Sequence, residues 1–230
     1  MTTLRVWHAL IYLGDGAVLI PCAVLIFVWL IVASPTQRTT WWWLLAALLV
    51  SGGVALSKLL YMVSGWHPVG WNFIGLSGHA ALSFLLFPAA AALATSRNKH
   101  GLRVIAVALG GCLALAIAIS SWVLRDHSLA EVVLGSLWGV LVAVGFLVIT
   151  WRHRVQAPSL RRWMVVSMLL LVIVAFKHEF PSTRVLSWIA LQVSERTAIH
   201  TRIDLGPQAQ LSKKETNRRH AESPVSRKEK

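Results

Sequence analysis

Acidic residues are scarce in this 230-residue chain, and one of them stands at a spacing that suits catalysis. Before position 178 the only carboxylates are those of Asp15, Asp126 and Glu131. His127 precedes Glu131 by four residues, which places both side chains on one face of a helix. The carboxylate can hold one imidazole nitrogen, fix the tautomer and leave the other nitrogen free to attack an electrophile.

A second histidine lies in the stretch GLSGHAALS, residues 75–83, which opens an apolar segment. His79 can protonate a leaving oxygen. Ser77 and the backbone amides of Gly78 and His79 fall at a predicted helix N-terminus, which is a natural anion site. Lys58 adds positive charge. This set of groups suits phosphoryl transfer through a phosphohistidine: two histidines, a carboxylate, a lysine and a helix N-terminus.

Long apolar segments must position these residues. Hydrophobic residues make up 56% of the chain and charged residues 13%, which is about half the charged share of a globular domain. Apolar runs recur at roughly the ~20 residues that cross a bilayer. We therefore predict an all-α, polytopic integral membrane protein. Its transmembrane helices, about six, are predicted at 17–34, 42–63, 77–95, 104–124, 129–150 and 163–179.

The predicted spans form one membrane domain, residues 1–180, followed by a basic and largely disordered tail over 181–230. Within that second part, the stretch RVLSWIALQV can form a short surface helix. The first apolar run has no convincing small-residue cleavage site, so we expect it to stay as a helix. Cys22 and Cys112 lie in apolar runs and are predicted to be small buried hydrophobic residues.

The basic residues are distributed as in a membrane protein rather than a nucleic-acid-binding protein. The formal net charge is +13, but its residues lie in short loops and the tail, where the positive-inside rule and anionic head groups account for them. That rule places the first, third and fifth loops in the cytoplasm, so the second and fourth loops face outward. Six spans would also put the basic tail outside, and whether the last span crosses stays open.

The ordered set of polar residues resembles the type 2 phosphatidic acid phosphatase superfamily, membrane lipid phosphatases that share a fold with vanadium haloperoxidases. That family has a Lys followed by Arg-Pro, then Pro-Ser-Gly-His, then Ser-Arg, five residues, His, three residues and Asp. The second motif stands here as Leu76-Ser77-Gly78-His79, and the third as Ser120-Ser121, five residues, His127, three residues and Glu131. The first is Lys58 with His67-Pro68, and the match covers roughly residues 50–150.

The resemblance implies a role for each matching residue. His127 would be the nucleophile, Glu131 its orienting acid and His79 the general acid, while Lys58, Ser77 and Gly78 would bind phosphate oxygens. The chain departs from the family where Ser121 replaces a phosphate-binding arginine, and the second loop holds no arginine at all. We therefore add Arg125 to the phosphate-binding set, as a substitute for one arginine. His67, which is not added to that set, is a candidate partial substitute for the other.

These observations predict a hydrolase that removes a phosphomonoester or pyrophosphate from a lipid, without a cofactor or a metal ion. Polyprenyl pyrophosphate, phosphatidic acid, phosphatidylglycerol phosphate and a phosphorylated glycolipid are candidate substrates, and the sequence does not choose among them. We expect membrane lipids as its surroundings, no nucleic-acid partner, and a location in a bacterial inner membrane with the site on the outer, periplasmic face. The oligomeric state is not predicted.

Two other classes of function stay open. An inactive family member that binds an anionic lipid or a membrane partner protein would explain the missing arginines, but not the retained histidines and acid. A small transporter would place charge along the span interiors, whereas here the charge lies at one rim. Asp15, in LGDG, is predicted to form a turn or a helix cap with no chemical role.

Overall fold

The computed structural model describes residues 2–33, 37–68, 71–95, 100–152, 165–170, 172–173 and 182–194. Within these ranges all regular secondary structure is helical, so the all-α prediction is confirmed. The helices are α1 (Thr2–Leu13), α2 (Gly16–Ala33), α3 (Arg38–Ser64), α4 (Gly78–Ala94), α5 (His100–Val123), α6 (Leu129–Thr150) and α7 (Ser182–Ser194).

The long helices have the length and apolarity of membrane spans. Among the described residues, four segments qualify on both counts, namely Leu4–Val32, Arg38–Ser64, His100–Val123 and Leu129–Thr150. Helix α4 is apolar but shorter, with 17 residues. Five of the predicted spans thus coincide with α2 to α6. The sixth, at 163–179, falls mostly outside the described residues, where 165–170 and 172–173 are helical, and a count of six stays a prediction.

Helix α4 lies at the centre of the bundle, in contact with α2, α3, α5 and α6. The core on one side of it is built on Trp43, whose side chain is fully buried. The Trp43 indole donates a hydrogen bond to the carbonyl oxygen of Ala23 at 3.0 Å, and its ring meets Phe146 edge-on at 5.5 Å. Leucine, valine and isoleucine side chains are exposed on the outer faces of the helices, as expected of surfaces that meet lipid.

Helices α4 and α6 approach so closely that their contact requires glycine. A Cβ added at Gly135 would lie 2.7 Å from the carbonyl oxygen of Ser77, and one added at Gly139 would lie closer still to that of Ala81. Small residues four apart let two membrane helices pack backbone against backbone. This packing sets the first turns of α6 directly against the first turns of α4, where the predicted site residues begin.

Arg103 lies near the opposite end of the bundle and is buried. Its Nη1 donates to the carbonyl oxygen of Trp151, the residue that caps α6, and its guanidinium lies 4.0 Å from the centroid of the Trp151 ring. Cys22 is buried as predicted, but Cys112 is exposed. The prediction for Cys112 is wrong because that face of α5 points away from the bundle.

The stretch RVLSWIALQV falls within α7, which is helical and packs against α3. Residues 195–230, most of the predicted tail, lie outside the described residues. The division into a membrane domain and a tail therefore stays a prediction.

Candidate active site at one end of the bundle

Five chain segments bring polar residues to the same end of the bundle. They are the α1–α2 turn, the last turns of α3, the start of α4, the α5–α6 loop and the start of α6. The predicted site residues in these segments are Lys58, Ser77, Gly78, His79, Arg125, His127 and Glu131. Helices that run alternately up and down return to one end at every second connection, which is why residues far apart in sequence meet here.

His127 and Glu131 form a hydrogen-bonded pair. The distance from His127 Nδ1 to Glu131 Oε2 is 2.9 Å. Because a carboxylate only accepts, the ring donates from Nδ1 and leaves Nε2 available as a nucleophile. A capping box at the start of α6 fixes this geometry: the Ser128 hydroxyl accepts from the Glu131 amide at 3.3 Å, and Glu131 Oε2 accepts from the Ser128 amide at 3.2 Å.

Glu131 also joins α6 to the segments that carry the other histidine. Its side chain is fully buried, and its Oε1 accepts from the amide of Ile74 at 3.0 Å. Its backbone carbonyl accepts from the amide of Ser77, also at 3.0 Å. A buried carboxylate is stable only when donors satisfy it, and here those donors come from both halves of the site. Glu131 therefore orients His127 and holds the start of α4 in register with it.

The rings of His79 and His127 lie side by side, with centroids 5.6 Å apart and planes inclined at 62°. Both side chains are only partly buried, with 23% and 11% exposed. The two partly exposed rings are therefore in edge-to-face contact at this end of the bundle. The two sequence stretches that hold these histidines, 48 positions apart, are thus parts of one site.

The start of α4 provides backbone donors for an anion. Ser77 is the N-cap, and its hydroxyl accepts from the amide of Ala80 at 3.4 Å. The amides of Gly78 and His79 belong to the first helical turn, where no intrahelical acceptor exists. Such amides, together with the helix dipole, bind phosphate. Ser77 itself is fully buried. Its hydrogen bond shows that it caps the helix that presents these amides.

Lys58 is held against the loop that leads into α4. Gly75 has a φ of +140°, and a Cβ added there would lie 2.9 Å from the backbone nitrogen of Lys58, so only glycine fits. The adjacent amide of Leu76 donates to the hydroxyl of Ser57 at 2.9 Å. These contacts fix the loop on α3 and bring the Lys58 ammonium into the electrostatic environment of His127.

The surroundings of His127 favour its neutral form. Burial lowers the pKa of His127, and the positive charges of His79 and Lys58 lower it further, against the hydrogen bond to Glu131, which raises it. A charged imidazole cannot attack phosphorus, because its lone pair is occupied by a proton. The lowered pKa therefore keeps the nucleophile available at neutral pH.

Ser121 and His67 stand where the family motifs have arginine, and each has contacts within the protein. Ser121 is buried, and its hydroxyl donates to the carbonyl oxygen of Ala118 at 2.8 Å. His67 lies in the α3–α4 loop, with Nδ1 3.0 Å from the carbonyl oxygen of Gly65 and its ring edge-on to Tyr61. Both side chains thus have structural contacts of their own.

Arg125 ends α5 in an unusual backbone conformation. Its φ is +61°, and the amides of Asp126 and Arg125 bond to the carbonyl oxygens of Ser121 and Trp122. This is a Schellman motif, in which glycine is the usual residue at the left-handed position. The Arg125 side chain is exposed, two residues before His127. The structure therefore places it at the rim of the site, whereas Lys58, His79, His127 and Glu131 lie together.

Asp15 is the residue that sequence reasoning missed. Its Oδ1 accepts from the amide of Ala17 at 2.7 Å, so the predicted cap of α2 is confirmed. Its Oδ2 lies 3.8 Å from Nε2 of His79. Nothing in the local sequence places Asp15 beside a residue 64 positions away. Its rarity was the only signal, as one of three carboxylates in an otherwise apolar region.

Comparisons with known proteins identify the family of the chain. The profile of the PAP2 superfamily matches residues 60–155. A Klebsiella pneumoniae protein described as "Uncharacterized 22.5 kDa protein in cps region" is 32% identical over 207 residues, which cover 88% of this chain and 99% of that protein. No solved structure matches the chain. The chain belongs to the PAP2 superfamily, as the motifs predicted, and this membership indicates a phosphatase-type function.

Proposed function

We propose that this protein is a membrane phosphatase that hydrolyses a lipid phosphomonoester or pyrophosphate through a phosphohistidine. The observation that carries the proposal is the pair of adjacent histidines, one of which is held by a buried carboxylate at 2.9 Å. The positive-inside rule supports a site on the outer face of a bacterial inner membrane. No metal ligand is needed in the steps below.

In the first step, Nε2 of His127 attacks phosphorus and the bond from phosphorus to the leaving oxygen breaks. His79, as imidazolium, gives its proton to that oxygen. The phosphorylated ring of His127 becomes cationic, and the Glu131 carboxylate stabilises it through Nδ1. The amides at the start of α4 and the Lys58 ammonium face the negative charge that develops on the phosphoryl oxygens.

In the second step, water attacks the phosphohistidine. His79, now neutral, takes a proton from the water as its oxygen bonds to phosphorus, and the bond from phosphorus to His127 Nε2 breaks. Inorganic phosphate leaves, and both histidines return to their starting protonation states. The same residue therefore serves first as acid and then as base.

A groove on the side of the bundle supports a substrate with a hydrocarbon chain. It has a volume of about 210 Å³, and apolar residues of α2, α3 and α4 line it. Leu19 and Leu82 line the groove; Leu19 lies one helical turn after Asp15, and Leu82 lies three residues after His79. The exposed side chains of Val24 and Leu48 border it where it opens outward. We propose that the hydrocarbon chain of a substrate bound at the histidines lies along this groove.

Arg125 is the proposed substitute for a missing motif arginine. A residue other than glycine in the left-handed conformation costs ~1 kcal/mol or more, and such strain tends to occur at functional sites. A guanidinium at this rim position can close over a phosphoryl group bound by His127. It would supply the charge that Ser121 does not.

The proposal is tested by phosphate release from purified protein in detergent. The panel contains the four candidate lipid phosphates, each with and without chelator, and compares the native protein with His127→Ala. His8→Ala, which changes an exposed histidine of α1, is the matched control. The proposal expects release that survives the chelator, persists in His8→Ala and disappears in His127→Ala. Release that persists in His127→Ala would contradict it.

The second candidate is a family member that binds an anionic lipid without hydrolysing it. The buried, hydrogen-bonded Ser121 favours it, because the side chain at this motif position cannot neutralise a transition state. This candidate expects no release from any substrate, together with saturable binding of a lipid phosphate to folded protein. That binding would weaken in Lys58→Met.

A further inference from the structure

We propose that Asp15 is a positioning residue for the general acid, which gives the site two histidine–carboxylate pairs with opposite tasks. Glu131 holds the nucleophile His127 in its neutral, attacking tautomer, and Asp15 orients the His79 ring for proton donation. This inference rests on the proposed function and names a residue outside the family motifs and outside the matched range 60–155.

The carboxylate of Asp15 is fixed before any substrate binds. One oxygen is used by the cap of α2, where Oδ1 accepts from the amide of Ala17 at 2.7 Å. The other oxygen, Oδ2, faces Nε2 of His79 at 3.8 Å, and 15% of the side chain is exposed. This distance is too long for a direct hydrogen bond, but it allows a strong charge interaction or a bridge through one water molecule.

The α1–α2 turn is built to bring Asp15 to this place. Gly14 precedes Asp15, and a Cβ added at Gly14 would collide with Ile117 on α5 and lie 3.5 Å from Cδ2 of His79. The turn therefore packs directly on α5 and on the His79 ring. A larger residue at position 14 would push the carboxylate away from the histidine.

The charges around His79 show why a carboxylate is needed there. The other basic groups of the site are Lys58 from α3, His127 from the α5–α6 loop and, at the rim, Arg125. Glu131, from α6, is satisfied by His127 and by the amides of Ile74 and Ser128. Asp15, from the α1–α2 turn, is the carboxylate that faces His79 itself.

The decisive variant is Asp15→Asn, compared on two kinds of leaving group. Asparagine caps a helix as well as aspartate does, so α2 is retained while the charge is removed. An alkyl phosphate needs a proton on its leaving oxygen, whereas an aryl phosphate with an acidic phenol does not. We expect kcat/KM to fall ~10- to 100-fold for the alkyl ester and to change little for the aryl ester. The loss for the alkyl ester corresponds to a part of the rate enhancement that general acid catalysis provides.

Three further measurements separate this role from a merely structural one. In Asp15→Asn the loss for the alkyl ester should lie in kcat, while KM should not rise, since the removed charge repels phosphate. In a His79→Ala background, Asp15→Asn should cause no further loss. Asp126→Asn removes the same charge from an exposed position beside His127 and should retain native rates.

The outcomes distinguish this inference from the proposed function. Equal losses on the alkyl and aryl esters, or an additive loss in the His79→Ala background, would overturn the role of Asp15 while leaving phosphatase activity established. Absence of release by the native protein, or full release by His127→Ala, would instead overturn the proposed function and with it the inference.

Discussion

The contact between α4 and α6 makes the activity sensitive to a single methyl group. In Gly135→Ala the new Cβ would lie 2.7 Å from the carbonyl oxygen of Ser77, where ordinary contact begins at 3.4 Å. Because the obstacle is backbone, the two helices must separate by several tenths of an ångström. That movement lengthens the bond from the Ser77 amide to the Glu131 carbonyl, now 3.0 Å, and shifts His79 relative to His127.

The expected loss of activity follows from the sensitivity of catalysis to the positions of the reacting groups. A misplacement of ~1 Å can reduce a rate ~100-fold, so we expect kcat/KM to fall ~10- to 50-fold in Gly135→Ala and further in Gly139→Ala. Gly145→Ala is the matched control on the same helix, because a Cβ there meets nothing within 4 Å. Alanine at that position favours the helix by up to ~1 kcal/mol, so its rate should be native and its melting temperature equal or higher.

The assay is the initial rate of phosphate release, measured for the three glycine variants together with their thermal unfolding in detergent. Equal rates in Gly135→Ala and Gly145→Ala would refute the idea that this close approach sets the distance between the histidines. If Gly135→Ala does not fold, Gly75→Ala is the second test of how closely the segments must pack. That variant strains the loop that lies on Lys58 instead of the contact between α4 and α6.

Four further changes have defined outcomes. Glu131→Gln should lower kcat ~1,000-fold or more in single-turnover kinetics. Glutamine has one acceptor oxygen, which cannot accept both from His127 on one side and from the Ile74 amide on the other. Since the pKa of His127 is lowered from 6.5, native activity should persist below pH 6.5. Lys58→Met removes a positive charge that lowers this pKa, so the acid limb of kcat/KM should move to higher pH. Arg125→Asn, which tolerates the left-handed backbone, should raise KM without lowering the melting temperature. Arg103→Ala should destabilise the fold by ~1–3 kcal/mol in thermal unfolding, with native kcat per folded molecule.

The sequence predicted the parts of the site that local spacing determines. The interval from His127 to Glu131 is a helical spacing, and the capping residues Ser77 and Ser128 mark where α4 and α6 begin. Counting spans was enough to bring His79 to the same end, since alternating helices return there. These inferences needed only periodicity and the cost of placing charge in an apolar region.

The remaining parts depend on packing between helices, which a single sequence does not reveal. Asp15 reaches His79 only because Gly14 lets the α1–α2 turn rest on α5. The closeness of α4 and α6 depends on Gly135, whose role appears only when the facing backbone is known. The left-handed conformation of Arg125 was also unpredictable, because arginine carries no signal for it.

The proposed mechanism depends on covalent phosphorylation of His127 within a site that it shares with His79. The most direct measurement is to mix the protein with a radiolabelled substrate, quench it in alkali, where phosphohistidine survives, and locate the label by peptide mapping. We expect label on His127 in the native protein, none in His127→Ala, and slower loss of label in His79→Ala. Phosphate release without any labelled protein, or label that persists in His127→Ala, would contradict the proposed mechanism.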